Sequence, residues 1–266
     1  NDITFGQFYP AKSLVHKMDP RFKMVLTVAF IVFTFVAQNA ISLVITAAAL
    51  AIFIAATRIP VKMYLKTLKP IIPIIILTSV LNALYVSGGD TVVSFWKITI
   101  TTGGITTAVY MSVRIAILIM CSSILTYTTS PTELTDAIER LFSPLNAIKV
   151  DVHSLAMMMT IALRFIPTLI EETDKIMSAQ KARGADIESG GLIKRVKALV
   201  PILIPLLISS FRRASELADA MECRCYHGGE GRTRLRQLIF VRRDYLALAG
   251  SLFMVAAVYV LRYLGW

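Results

Sequence analysis

The sequence predicts an all-α polytopic membrane protein, with about five membrane-spanning helices plus long cytoplasmic helices. Three observations predict it. Of the 266 residues, 56% are hydrophobic and 17% are charged, against about 25% charged in a soluble globular domain. Mean hydropathy is +0.67. The apolar residues are gathered into runs whose length approaches a bilayer crossing, and the lysines and arginines lie mostly between those runs.

Residues 1–23 are polar and end in Ser13-Leu14-Val15-His16-Lys17-Met18-Asp19-Pro20-Arg21-Phe22-Lys23. Asp19 reads as a helix cap with Pro20 at the first helical position. Met24–Ala37 and Ile41–Thr57 are apolar, broken by Gln38-Asn39. They form two spans joined by a tight turn, or one hairpin that barely crosses. Arg58–Lys69 is amphipathic, with Arg58, Lys62, Lys66 and Lys69 at helical spacing, as in a short interfacial helix. Pro70–Val86 is the third apolar run. Residues 91–103 alternate and are rich in β-branched side chains, as a small hairpin or an extended surface loop would be. Gly104–Tyr127 is the fourth span, interrupted by Arg114.

Ser130-Pro131-Thr132-Glu133 carries the capping-box signature of a helix start, and that helix runs to about Phe142, before Pro144. From 151 to 170 the chain is apolar but holds Arg164 and Pro167; from there to Arg183 it is amphipathic, closed by Gly184 and Gly190-Gly191. A second long helix starts near Leu192 and carries Pro201 and Pro205. Its run Ala198–Ser210 is short for a span and is expected to pack on the bundle or dip into the membrane. Tyr245–Leu264 is the last span. The chain thus divides into membrane helices with a polar N-terminal segment (1–127), a cytoplasmic helical region (128–243) and a last membrane helix (244–266).

Charge orients this arrangement. Net charge is +11. Without a basic patch interleaved with aromatics this does not read as nucleic-acid binding; it reads as cationic loops against anionic lipid. Of the 28 lysines and arginines, four lie in 1–23, four in 58–69 and 14 in 171–243. The loops 38–40 and 87–103 hold only Lys97. The N-terminus and the region 128–243 are therefore expected on the cytoplasmic side, with five spans and an outside C-terminus; Arg262 snorkels to the surface.

The candidate functional residues are Ala182-Arg183-Gly184 and Cys223-Arg224-Cys225, two arginines at the ends of two long helices. A cation at a helix C-terminus is favoured by the dipole alone. Small neighbours, however, let a partner surface reach a planar guanidinium that grips carboxylates bidentately. Repetition at two helix ends points to two equivalent docking points. Cys223, Cys225 and His227 lack the four-ligand spacing of structural zinc. Glu171, Glu172 and Asp174 read as a solvated or salt-bridged face, and Cys121 and the methionines Met157, Met158, Met159, Met177 and Met221 as mostly core. No nucleophile–base set, P-loop or nucleotide fingerprint is present, so the chain reads as a non-enzyme that binds no cofactor, with energy supplied by a partner.

The paired arginine ends, with Ala185-Asp186, Met221-Glu222, Tyr226, Gly228-Gly229-Glu230-Gly231-Arg232-Thr233 and the segment Ser13–Lys23, resemble the T component (EcfT) of energy-coupling factor transporters over essentially the whole chain. Cys223-Arg224-Cys225 stands where that family has an Ala-Arg-Gly type of ending. The resemblance implies that two ABC-type ATPases, as a heterodimer or homodimer carrying ATP and magnesium, receive the two arginine-bearing coupling helices. It further implies that a small exchangeable S component binds vitamin or metal ion within a bacterial cell membrane. Arg114 and Arg164 then serve structural pairing or the S-component surface. The alternatives are a T component dedicated to cobalt or nickel, an intramembrane enzyme, or a self-sufficient channel or carrier. The third would show internal repeats and polar spans, and neither is seen.

Overall fold

The computed structural model describes residues 8–11, 13–37, 39–86, 88, 90–95, 98–185, 191–228, 244 and 249–251. The chain divides into two units, one formed by 1–137 with 237–266 and the other by 138–236.

In the first unit, α1 (Pro20–Val36) starts as the sequence requires: the Asp19 carboxylate accepts from the Arg21 N–H, and Pro20 takes the first helical position. α2 (Ala40–Thr57) follows after the break at residues 38–39. Both helices run antiparallel to parts of α5 (Thr102–Thr128) or to each other. Lys23 at the start of α1 donates to the Thr128 carbonyl at 2.9 Å, and Arg114, midway along α5, donates to the Ala37 carbonyl at the end of α1. The hairpin α1–α2, with helices of about 26–27 Å, therefore matches only the C-terminal half of the roughly 40 Å α5. Arg114 is placed where the hairpin ends, and it caps a helix C-terminus whose carbonyls lack intrahelical donors. Phe30, Leu43, Leu50, Ile117 and Cys121 form the core between these three helices. Buried threonines there donate to their own helix, Thr34 to Phe30 and Thr46 to Ser42, which satisfies both hydroxyls in apolar surroundings.

The rest of this unit is a rod laid along all of α5. α3 (Val61–Leu68) passes through a 3-10 turn into α4 (Ile72–Tyr85). Thr67 bonds the Tyr127 hydroxyl, Ser112 bonds Ser79 at 3.3 Å, and Gly104 lies beside Ala83 and Val86, so the rod is antiparallel to α5 throughout. A Cβ on Gly104 would stand 2.7 Å from the Val86 oxygen; glycine permits the close approach. β1 (Thr91–Phe95) and β2 (Ile98–Thr101) pair antiparallel with an irregularity between Thr91 and Val93, so the alternating segment is a hairpin. At the opposite end of α5, the N-terminal segment is fixed by buried polar contacts. Lys23 also donates to the His16 carbonyl, and the buried Asp244 carboxylate accepts from the Asp19 N–H at 3.3 Å.

α6 (Pro131–Phe142) begins with the reciprocal capping box: the Glu133 N–H donates to Ser130 Oγ, and the Ser130 N–H donates to Glu133 Oε2. The second unit holds a 3-10 turn (Ser143–Ile148), α7 (Val152–Ala182) and α8 (Leu192–Glu222).

Among the described residues five stretches are long and apolar enough to cross a membrane: Ala40–Thr57, Val61–Tyr85, Thr102–Thr128, Val152–Ala182 and Val196–Glu222. The number agrees with the sequence expectation, but the membership differs. Met24–Val36 lies in the 17-residue α1, with Ala37 as its C-cap, and α1 is not one of the five. The interfacial helix merges with the next run into a single 25-residue stretch. Ala198–Ser210 is not an isolated short segment but the middle of a 31-residue helix. Pro201 and Pro205 do not interrupt it. Pro205 has no N–H to give the Pro201 carbonyl, and the Gln180 side chain donates to that carbonyl instead, at 3.4 Å. The expected span Tyr245–Leu264, with Arg262, and the arginines of 230–243 lie outside the described residues.

Candidate functional site

Helices α7 and α8 form an antiparallel pair whose register is fixed at three points. Gln180 meets Pro201, Glu172 meets Arg213 at 2.7 Å, and the Tyr226 hydroxyl donates to the Met157 sulfur at 2.9 Å. This register sets Arg183 level with residue 199 or so. Arg224 lies 25 residues further along α8, or about 37 Å at the helical rise. The two arginines therefore stand at opposite ends of one rod.

Each arginine sits in the same local structure. At the end of α7 the Gly184 N–H donates to the Lys181 carbonyl at 3.0 Å and the Ala185 N–H to the Gln180 carbonyl at 3.0 Å. Gly184 has φ +84°. At the end of α8 the Cys225 N–H donates to the Glu222 carbonyl at 2.8 Å and the Tyr226 N–H to the Met221 carbonyl at 3.1 Å. Cys225 has φ +56°. Both are the paired three-back and five-back bonds of the Schellman ending, with the left-handed residue directly after the arginine. Replacement of glycine by Cys225 leaves the turn type unchanged. The left-handed conformation costs an L-residue roughly 1–2 kcal/mol, and closing two otherwise orphaned carbonyls offsets it.

All six residues Ala182, Arg183, Gly184, Cys223, Arg224 and Cys225 are exposed. Each arginine is exposed at a helix end directly before a left-handed residue, and its immediate neighbours add little bulk. The arrangement can present two fork-shaped cations to acidic or carbonyl-rich grooves about 37 Å apart.

Supporting side chains were partly legible in the sequence. The acidic face at 171–174 is salt-bridged through Glu172 and Arg213, as its lysine- and arginine-rich setting indicates. Tyr226, directly after the second tip, ties that tip to α7; its partner lies 69 residues away, which no local pattern reveals. The methionines are less buried than expected. Met158 and Met159 are 57% and 45% exposed, because three consecutive helical positions point in different directions and only Met157 lies under Tyr226. Arg114 resolves to structural pairing with Ala37, whereas Arg164 is exposed. Cys121 is buried, and Cys223 and Cys225 are free exposed thiols. Among the described residues no group of three or more His, Cys, Asp or Glu side chains converges as a metal site. His153 pairs with Glu139 at 2.9 Å.

The family model described as cobalt transport protein (CbiQ) matches residues 11–235. Among curated relatives, the "energy-coupling factor transporter transmembrane protein EcfT" of Ruminiclostridium cellulolyticum is 49% identical over 263 residues, covering 98% of both chains. The protein of the same name from Acidaminococcus fermentans is 49% identical over 266 residues, covering 100% of this chain and 97% of its own. The Bacillus subtilis protein of that name is 43% identical over 266 residues, covering 98% and 99%.

Proposed function

This chain belongs to the CbiQ/EcfT family, the transmembrane components of energy-coupling factor transporters, and we propose that it couples two cytoplasmic ABC-type ATPases to a small substrate-binding S component. The observation that carries the proposal is the duplication of one arginine-bearing turn at the two ends of the α7–α8 rod. Two equivalent contacts fit two related partners, and a spacing of about 37 Å keeps those partners distinct. The chain itself is the non-catalytic subunit: ATP and magnesium reside on the partners, and vitamin or another micronutrient on the S component. Arg114, the polar side chain in the spans that an intramembrane enzyme would draw on, donates from Nη2 to the Ala37 carbonyl.

The antiparallel register also bears on sidedness. If α7 and α8 crossed the bilayer, their C-termini would emerge on opposite faces, and only one arginine would meet a cytoplasmic ATPase. Both meet the same compartment when the rod lies along the cytoplasmic face of the bacterial cell membrane, its apolar side turned to lipid or to the membrane partner. The concentration of 14 lysines and arginines in 171–243 supports that placement of the region 128–243, and with it a cytoplasmic N-terminus.

Two measurements test this. Arg183→Glu and Arg224→Glu each weaken ATPase co-purification in mild detergent and lower substrate uptake, while the membrane helices still fold. Normal transport by the double variant refutes the coupling role. Native Cys223 and Cys225, and a cysteine introduced by Ala185→Cys in a background with both removed, react with an impermeant maleimide from the same side in oriented vesicles. Labelling of the two ends from opposite sides refutes the flat rod. A second reading, dedication to cobalt or nickel, is favoured by the description of the matching family model. Identifying the S component that co-purifies, and whether it binds a metal ion, decides between the two.

A further inference from the structure

The outer face of α3 bears a stripe of cations that the coupling function leaves unused. Between Pro20 and Gly89 the chain contains no aspartate or glutamate. Lys62, Lys66 and Lys69 are all exposed, spaced four and three residues apart on one side of the helix and its 3-10 continuation. No carboxylate among the described residues forms an ion pair with them, in contrast to Arg213, which meets Glu172. Like charges at this spacing destabilise a helix by a few tenths of a kcal/mol unless an anion is supplied from outside.

The inner face of the same helix is rigidly held. Tyr64 is 1% exposed, its hydroxyl meets Thr57 at 3.1 Å, and its ring stands edge-on to Tyr127 with centroids 5.4 Å apart. Thr67 bonds the Tyr127 hydroxyl. The lysines are thus presented from a fixed platform rather than a mobile loop. Beside them, Val61 and Leu65 are 60% and 59% exposed, apolar groups that adjoin the cations as acyl chains adjoin headgroups.

We infer that the outer face of α3 forms a binding site for the headgroup of an anionic phospholipid. The lysines meet the phosphate, and Val61 and Leu65 meet the upper acyl chain. A site of this composition at a membrane surface favours anionic over zwitterionic lipid by about fivefold for each lysine near the headgroup.

The test uses the complete transporter purified in nanodiscs containing equal amounts of phosphatidylglycerol and phosphatidylcholine, followed by delipidation and native mass spectrometry. The wild-type complex retains phosphatidylglycerol over phosphatidylcholine by at least about tenfold. Lys62→Gln/Lys66→Gln/Lys69→Gln brings the ratio to within about twofold of unity, and the corresponding triple arginine variant keeps it. Should the triple glutamine variant fail to fold, Lys66→Gln alone lowers the ratio by about fivefold. Equal retention of both lipids by the wild type, or an unchanged ratio in a folded glutamine variant, overturns the proposal. Displacement of the retained lipid by millimolar soluble glycerol phosphate assigns the site to a free phosphate ester and overturns the lipid assignment.

Discussion

Replacing Gly184 by alanine tests the geometry of the first coupling tip without touching its charge. Gly184 has φ +84°, and a Cβ built there meets nothing within 4 Å. The penalty is therefore conformational, not steric. An L-residue in the left-handed region costs roughly 1–2 kcal/mol, which lowers the population of the closed turn relative to its opened form by about 5- to 30-fold. The amide that reports it is that of Ala185, whose N–H bonds the Gln180 carbonyl and is released when the turn opens. In hydrogen exchange on the intact chain, Gly184→Ala speeds exchange at Ala185 by about fivefold or more. ATPase affinity falls only as far as the closed fraction falls, because only the closed turn presents Arg183 correctly. The second tip supplies the mirror experiment. Cys225 already bears the penalty at φ +56°, so Cys225→Gly slows exchange at Tyr226 by about fivefold and tightens association. Exchange unchanged within about twofold in Gly184→Ala, or faster exchange in Cys225→Gly, would refute the view that the left-handed residue sets the geometry of the tip.

Three further outcomes follow from the first unit. Gly104→Val drives a side chain into the Ala83 and Val86 carbonyl oxygens, 2.9 and 2.7 Å from its Cβ position, and separates α4 from α5; a loss of about 1–3 kcal/mol appears as a thermal midpoint lower by several degrees. Tyr64→Phe removes one buried hydrogen bond to Thr57, whose own hydroxyl still donates to Ile54, so the loss is about 0.5–1.5 kcal/mol and vanishes in a Thr57→Val background. Burial holds the His16 imidazole below its usual 6.5. The folded state thus binds the proton less readily than the unfolded one, so its contribution is present above that value and is lost as pH falls below it. Amides of residues 13–19 exchange faster at about pH 5 than at about pH 7 after correction for intrinsic rates, and His16→Gln removes the difference.

The local signals of this chain were readable because they act within five residues. Asp19-Pro20 and Ser130-Pro131-Glu133 begin helices where their side chains reach the first free N–H groups, and Gly184 ends one where a positive φ is needed. Cys225 shows the limit of that reading. It takes the same left-handed turn as Gly184, because hydrogen bonds from its own N–H and that of Tyr226, with the Tyr226 hydroxyl on Met157, outweigh the penalty on its Cβ. The sulfur lies 69 residues away in the chain, so composition at the tip could not announce it.

By itself the sequence determined the all-α membrane class, the helix starts and the two arginine endings, since each follows from hydropathy or from contacts a few residues apart. Tertiary structure alone decided three things. It placed Arg114 on the Ala37 carbonyl, 77 residues distant, and so set the reach of the α1–α2 hairpin along α5. It carried α8 straight through Pro201 and Pro205, with Gln180 from another helix supplying a donor that the proline lacks. It set α7 and α8 antiparallel in a defined register, which puts the two arginines at opposite ends of one rod. Each of these depends on groups that meet only once distant segments pack, and a buried or orphaned polar group takes whichever partner the fold brings within reach.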